Sequence, residues 1–153
     1  MCIRDRIRAV AISPDGKTIA VDFGMDNPSF IYKINVDTGI ATRLTSAKTG
    51  VESGPAFSPD GRRIAYSYSP GNGAHSSIVI VNVDGSDLYS WAPSGGNDYW
   101  PVFLPDNKTI IFARSGYYGS YSPIAQPHPH AWNFYASDRE GTDVRQLLSL
   151  IHI

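Results

Sequence analysis

Phe57-Ser58-Pro59-Asp60-Gly61-Arg62-Arg63-Ile64-Ala65 is the stretch whose recurrence decides the fold. It is preceded by Ile12-Ser13-Pro14-Asp15-Gly16-Lys17-Thr18-Ile19-Ala20 and followed, more loosely, by Phe103-Leu104-Pro105-Asp106-Asn107-Lys108-Thr109-Ile110-Ile111, at offsets of 45 and 46 residues. A second marker trails each copy: Asn35-Val36-Asp37-Thr38-Gly39, Asn82-Val83-Asp84-Gly85, and Ser137-Asp138-Arg139-Glu140-Gly141. A fixed period of about 20 to 50 residues marks a repeat architecture.

The markers carry turn chemistry. Proline fixes φ near about −65° at Pro14, Pro59 and Pro105, aspartate can accept from the backbone ahead of it, and Gly16, Gly61 or Asn107 tolerates the positive φ that follows. Between the turns lie short β-branched and aromatic runs that read as strands. The first unit gives strands at about Arg8 to Ser13, Ile19 to Phe23, Phe30 to Val36 and Ala41 to Thr45. The second gives Gly54 to Ser58, Arg63 to Tyr68, Ser77 to Val83 and Leu88 to Trp91; the third gives Tyr99 to Leu104, Thr109 to Arg114, Trp132 to Ala136 and Val144 to Leu147. No segment holds a helical period. Four antiparallel strands per 40 to 50 residues, roughly, is the signature of a propeller blade. The expectation is an all-β chain, a β-propeller fragment of three four-stranded antiparallel blades at about 7–46, 52–92 and 98–147.

The Ser-Pro-Asp-Gly turn followed by Ile-Ala, with a later Asp-Gly, resembles the WD40-like PD40 repeat of TolB-type β-propellers over nearly all of 7–147. The resemblance implies fold more than activity, since similar repeats occur in periplasmic scaffold proteins, in propellers of prolyl-oligopeptidase-type peptidases and in some polysaccharide lyases. It also implies export to the periplasm or beyond. Closed propellers have about four to eight blades. Three blades therefore form an open arc with the remaining blades missing from the chain, and its end faces should favour aggregation or a molten state.

Composition bounds the rest. Of 153 residues, 42% are hydrophobic and 12% aromatic, enough to build a core. Only 18% are charged, with a net charge of −1, so no broad cationic surface exists for nucleic acid or anionic lipid. No apolar run approaches the roughly 20 residues that a membrane-inserted helix needs. The ends depart from the repeat. Residues 1–6 and 148–153 resemble the two strands of one translated sequencing adapter, because ATA-CAC for Ile151-His152 is the reverse complement of the GTGTAT read across Cys2-Ile3; both are expected to lie outside the natural domain. Setting them aside removes Cys2, the only cysteine.

In a four-stranded meander the first and third connections share one end of the blade, and the irregular second connection shares the other with the interblade link. Asp15, Asp60 and Asp106 fall on the short-turn end, where their residue type is explained by the turn. The other end collects the variable loops, and the longest connection runs from Ser115 to Ala131. Long loops on rigid scaffolds carry binding residues. Tyr117, Tyr118, Tyr121 and Trp132 could stack on sugar rings or peptide side chains. Gln126, His128 and His130, with His75 from the neighbouring blade, could offer ligands to a divalent metal, although a zinc site wants about three or four ligands. The string is similar in kind to the Gln and His cluster that oligogalacturonate lyases, also propellers, place on a metal. No Gly-x-Ser-x-Gly elbow, Walker A loop, Gly-x-Gly-x-x-Gly or EF-hand loop occurs. The expectation is a non-catalytic scaffold that binds a protein or a small-molecule or carbohydrate ligand on its loop face, with a peptidase propeller or a lyase as alternatives.

Overall fold

The computed structural model describes residues 6–24, 27–71, 74–91, 96–115, 132–138, 141 and 143–149. Twelve strands cover them, and no helix occurs among the described residues. The first blade contains β1 (Arg6–Ile12), β2 (Thr18–Gly24), β3 (Ser29–Asn35) and β4 (Ala41–Arg43). The second contains β5 (Val51–Phe57), β6 (Arg63–Ser69), β7 (Ser77–Asn82) and β8 (Tyr89–Ser90). The third contains β9 (Asn97–Phe103), β10 (Ile110–Ser115), β11 (Trp132–Ser137) and β12 (Arg145–Ser149). Each blade is an antiparallel meander, so the all-β propeller fold read from the repeat is what the chain adopts.

The Ser-Pro-Asp-Gly turn closes each first hairpin. Gly16 donates to Ser13 O at 2.9 Å and Gly61 to Ser58 O at 2.8 Å, while Asn107 donates to Leu104 O at 3.2 Å. Asn107 holds φ 57°, beside 72° and 70° for Gly16 and Gly61, so asparagine occupies the left-handed position that glycine fills elsewhere.

Each innermost strand carries a bulge: between Ile7 and Val10 in β1, between Ser53 and Ala56 in β5, and opposite Ile111 to Ala113 in β9. Gly54 and Trp100 sit in the last two bulges with φ 62° and 53°. The extra residue frees backbone N–H groups that the ladder does not use.

The core lies between blades. Ala20, Ile31 and Leu44 of the first blade pack on Ile64, Tyr66, Val79 and Val81 of the second. Ala65, Ile78, Ile80 and Trp91 of the second pack on Phe103, Ile110 and Phe112 of the third, with Trp91 edge-on to Phe112 at 5.6 Å. Strand alternation explains this, since successive residues of β6 and β7 serve opposite seams.

Three boundaries differ from the sequence expectation. The first two blades join in one eight-stranded sheet through a single parallel pair, Ser29 with Val51. Because β4 ends at Arg43, the start of β3 is left uncovered, and the chain crossing to β5 lies against it with Ser29 N–H on Gly50 O at 3.2 Å. The fourth strand of the second blade shrinks to Tyr89–Ser90. Finally, β1 begins at Arg6 and β12 runs on through Leu148 and Ser149, which pair with Phe134 and Asn133. Ladder bonds use backbone groups, so an extended chain beside β11 pairs whatever its side chains.

Candidate functional site

On the short-turn end, each aspartate is held by its own turn. Asp15 Oδ1 accepts from the Ser13 hydroxyl at 2.6 Å and Lys17 N–H at 3.0 Å, and Asp60 Oδ1 accepts from the Ser58 hydroxyl at 2.6 Å and Arg62 N–H at 3.0 Å. Those hydroxyl bonds are the main reason both carboxyls lie below their ordinary range. Leu104 offers no hydroxyl, so Asp106 bonds Thr109 through both side chain and N–H and falls to about 2.

The opposite end carries the larger construction, at the seam of the second and third blades. β10 ends at Ser115 and β11 begins at Trp132; the connection between them, 116–131, contrasts with 70–76 in the second blade and 25–28 in the first. At its foot Asp98, wholly buried at the start of β9, receives the Arg114 guanidinium in a two-pronged pair: Nε to Oδ1 at 2.6 Å and Nη2 to Oδ2 at 2.9 Å. Burial pushes the Asp98 carboxyl up, and Arg114 and then His75 oppose it. Arg114 also lies over the rings of Phe112 and Tyr135 at 5.2 and 5.0 Å. Ser76, buried beside it, donates its hydroxyl to the Tyr99 phenol oxygen at 2.8 Å and its N–H to Asn97 Oδ1 at 2.9 Å. A fork of this geometry ties the start of β9 to the end of β10, where the long connection leaves the sheet.

The first seam answers with a different partner set. Glu52 stands where Asp98 does, five residues before the phenylalanine of each repeat. Its buried carboxylate accepts Ile31 N–H at 2.9 Å and the Thr45 hydroxyl, both from the first blade. Burial raises it, and Thr45, Ile31 and Arg43 oppose the rise. Asp22, also buried, accepts Arg8 and Ala9 N–H on Oδ1 at 2.9 and 2.8 Å and Gly54 N–H on Oδ2 at 3.3 Å. Ser67 repeats the last contact one blade on, accepting Trp100 N–H at 3.0 Å. Each seam is thus latched by a side chain of one blade on the bulge of the next.

Tyr117, Tyr118, Tyr121, Gln126, His128 and His130 lie outside the described residues, and of Trp132 only its backbone, at the start of β11, is described. His75 is half-buried next to the Asp98 pair. Among the described residues no group of three or more His, Cys, Asp or Glu side chains is placed to hold a metal. Sequence reasoning passed over Asp22, Glu52, Ser67, Ser76, Asp98 and Arg114. The common offset of Glu52 and Asp98 was the available signal; their partners, lying on different elements, left no mark in the sequence.

The chain matches the PD40 family, described as the TolB beta propeller domain, over residues 4–122. It is 31% identical over 140 residues to an uncharacterized protein of Agrobacterium fabrum, covering 90% of this chain and 45% of that protein. It is 37% identical over 71 residues to the Tol-Pal system protein TolB of Francisella tularensis subsp. mediasiatica, covering 46% and 16%. Among solved structures, a TolB chain from Agrobacterium tumefaciens superposes with a TM-score of 0.76 at 29% identity, over 95% of this chain and 50% of that one. An acylaminoacyl peptidase superposes with 0.65 at 12% identity, over 93% and 25%, a likeness of fold alone. The chain spans about half the length of the Agrobacterium proteins it matches.

Proposed function

The chain belongs to the PD40 family of TolB β-propeller domains, and on that premise we propose that it is a non-catalytic propeller scaffold that binds a protein partner through the end bearing the irregular loops. The observation that carries this reading is the fork of buried Asp98 with Arg114 at the end of β10, where the connection 116–131 begins. A buried ion pair is a poor source of stability but a good means of fixing one arrangement. Here it pins the end of β10, from which the longest loop departs, to the start of β9, and rigid scaffolds present recognition residues from such fixed points. Tyr117, Tyr118, Tyr121 and Trp132 supply the aromatic contact area in this reading.

A protein partner is favoured over a small ligand or carbohydrate because the Francisella relative is named as a protein of the Tol-Pal system. Work in the periplasm or outside the cell accords with that kinship. The test is binding of the Pal component to the chain, measured by biolayer interferometry, with residues 116–131 intact and with that connection replaced by the 70–76 sequence. We expect binding that the replacement abolishes. No binding by the intact chain, or equal binding by both, would overturn the reading. The peptidase alternative rests on fold likeness alone; a hydrolase domain in the complete gene would favour it. A divalent metal on His128 and His130 would require Zn²⁺ or Mn²⁺ affinity that falls in the His128→Ala, His130→Ala double variant.

A further inference from the structure

The two seams follow one plan at their short-turn end but are filled differently. Thr18, Arg63 and Thr109 hold the same repeat position, each carbonyl accepting the N–H at the head of the preceding turn: Ser13 at 2.8 Å, Ser58 at 2.9 Å and Leu104 at 2.8 Å. Between the second and third blades, Arg63 reaches across the seam. Its Nη2 donates to Asn107 O at 2.8 Å, and its guanidinium carbon stands 5.5 Å from the Phe103 ring centre. The Asn107 side chain closes the same seam by accepting Asp60 N–H at 2.9 Å.

Between the first and second blades both fillers are missing. Thr18 is too short to cross, and Gly61, in the place of Asn107, has no side chain. What remains is a cavity of about 220 Å³ whose walls include Asp15, Thr18, Phe57, Asp60, Gly61 and Val83. Phe57 stands where Phe103 stands under Arg63, and the Gly61 backbone stands where Asn107 does. Asp15 and Asp60 line the opening, and in the described hydrogen bonds their turns engage only Oδ1 of each. Of the neighbouring cations, Lys33 is held on Val83 O at 2.8 Å, Arg63, which also acts on Asp60, donates to Asn107 O, and Lys17 and Arg62 are exposed.

We propose that this cavity is a binding site for a guanidinium group, carried by an arginine side chain of a polypeptide or by a free arginine-like molecule. The protein's own Arg63 shows the pose: the planar cation over an aromatic face, one edge on the turn carbonyl of the next blade. Two carboxylates add charge complementarity that an uncharged isostere would forfeit. This site lies at the opposite end of the blades from the loops of the proposed partner surface and stands independently of that reading.

The test uses the full 153-residue chain and saturation-transfer NMR with Nα-acetyl-arginine amide, since that measurement reads ligand contact whatever the protein's association state. Thr18→Arg plants in the first seam the side chain that the second already holds; Thr18→Ser leaves the cavity open. We expect equal affinity for the unaltered chain and Thr18→Ser, and affinity weaker by about tenfold or more for Thr18→Arg. Nα-acetyl-citrulline amide, uncharged and of the same shape, should bind the unaltered chain about tenfold more weakly. Phe57→Leu, which keeps the wall apolar and removes the aromatic face, should weaken binding several-fold. Tighter binding of a Gly-Gly-Arg-Gly-Gly amide than of the free amino acid amide would point to a polypeptide source, and equal binding to a small molecule. No binding, equal binding of the citrulline probe, or undiminished binding by Thr18→Arg would overturn the proposal.

Discussion

Asp22 ties three N–H groups at once, Arg8 and Ala9 of its own blade and Gly54 of the next, from a position 2% exposed. Removing the acceptor strands donors that a bulge has already taken from the ladder, at roughly 1–3 kcal/mol for each that stays dry. Asp22→Ala should therefore speed amide exchange at Ala9 and Gly54 by about 30-fold or more, the equivalent of about 2 kcal/mol, and Asp22→Asn by less, because the amide keeps one acceptor. Unchanged exchange at both amides would mean that water replaces the carboxylate freely. Glu52 makes a pH-dependent counterpart. Its folded carboxyl is raised above the ordinary 4.5, so the native state holds that proton more tightly than the unfolded chain. The contribution is fully present below about 4.5 and is lost as pH rises through the folded value. Glu52→Gln should flatten the fall in thermal midpoint between pH 4.5 and neutrality, leaving the share due to Asp98, which is raised for the same reason. The turn aspartates act in another window: their carboxyls are lowered from 3.8, so their stabilisation is present above that value and lost as pH falls through the folded ones. A midpoint profile of Glu52→Gln that parallels the unaltered chain would remove Glu52 from this account.

At the scale of elements, the turns decide how blades meet as well as how hairpins close. Asn107 clasps Asp60 N–H across the second seam, and Gly61 cannot do the same for Asp15 across the first. Gly61 already holds φ 70°, close to the 57° of Asn107, and a Cβ there would meet Pro14 Cδ at an ordinary 3.5 Å. Gly61→Asn should thus raise the thermal midpoint by the equivalent of about 0.5–1 kcal/mol, through the added bond and a less free unfolded chain. Asn107→Gly should lower it by a similar amount, and a Gly61→Asn variant less stable than the parent would show that the seams are not equivalent. These elements also mark how far the sequence could be read. Strand positions were legible because Pro, Asp and Gly punctuate a period of about 45 residues and β-branched runs fill the gaps. The bulges were half legible. Gly54-Pro55 and Trp100-Pro101 break the ladder with a proline, whereas Arg8-Ala9 bulges with no such sign. Asp22 was illegible because its partners are backbone groups of two other strands, and a polar residue in a strand reads as solvent-facing. The loop end was legible as a place, through the length of 116–131, but its floor was not. Asp98 and Arg114 are 16 residues apart and meet only once β9 and β10 pair.

The whole molecule is an arc whose two end faces repeat what its inner seams bury. Ile12 holds the position of Phe57 and Phe103, which pack against the preceding blade; Phe103 is 8% exposed, whereas Ile12 is 64% exposed. At the other end Val102 and Phe134 of the third blade are 56% and 39% exposed. The latches tell the same story. Asp22 and Ser67 each accept the next blade's bulge N–H, but the third blade has Ala113 in that place and offers no acceptor. The first blade's bulge needs none, since Asp22 of the same blade holds Arg8 and Ala9. Among the described residues, the two end faces thus expose apolar side chains and show no bulge donor left over for a latch, which favours association through hydrophobic contact over a unique docked geometry. We expect the 153-residue chain to associate through these faces at the concentrations of ordinary biophysical work. Sedimentation velocity should show concentration-dependent assemblies, and a hydrophobic dye should bind. Ile12→Lys with Phe134→Lys, which places charge on both end faces without touching either inner seam, should shift the distribution toward monomer. A parent chain that stays monomeric at every concentration, with the double variant indistinguishable from it, would mean that the two inner seams alone suffice to hold the arc.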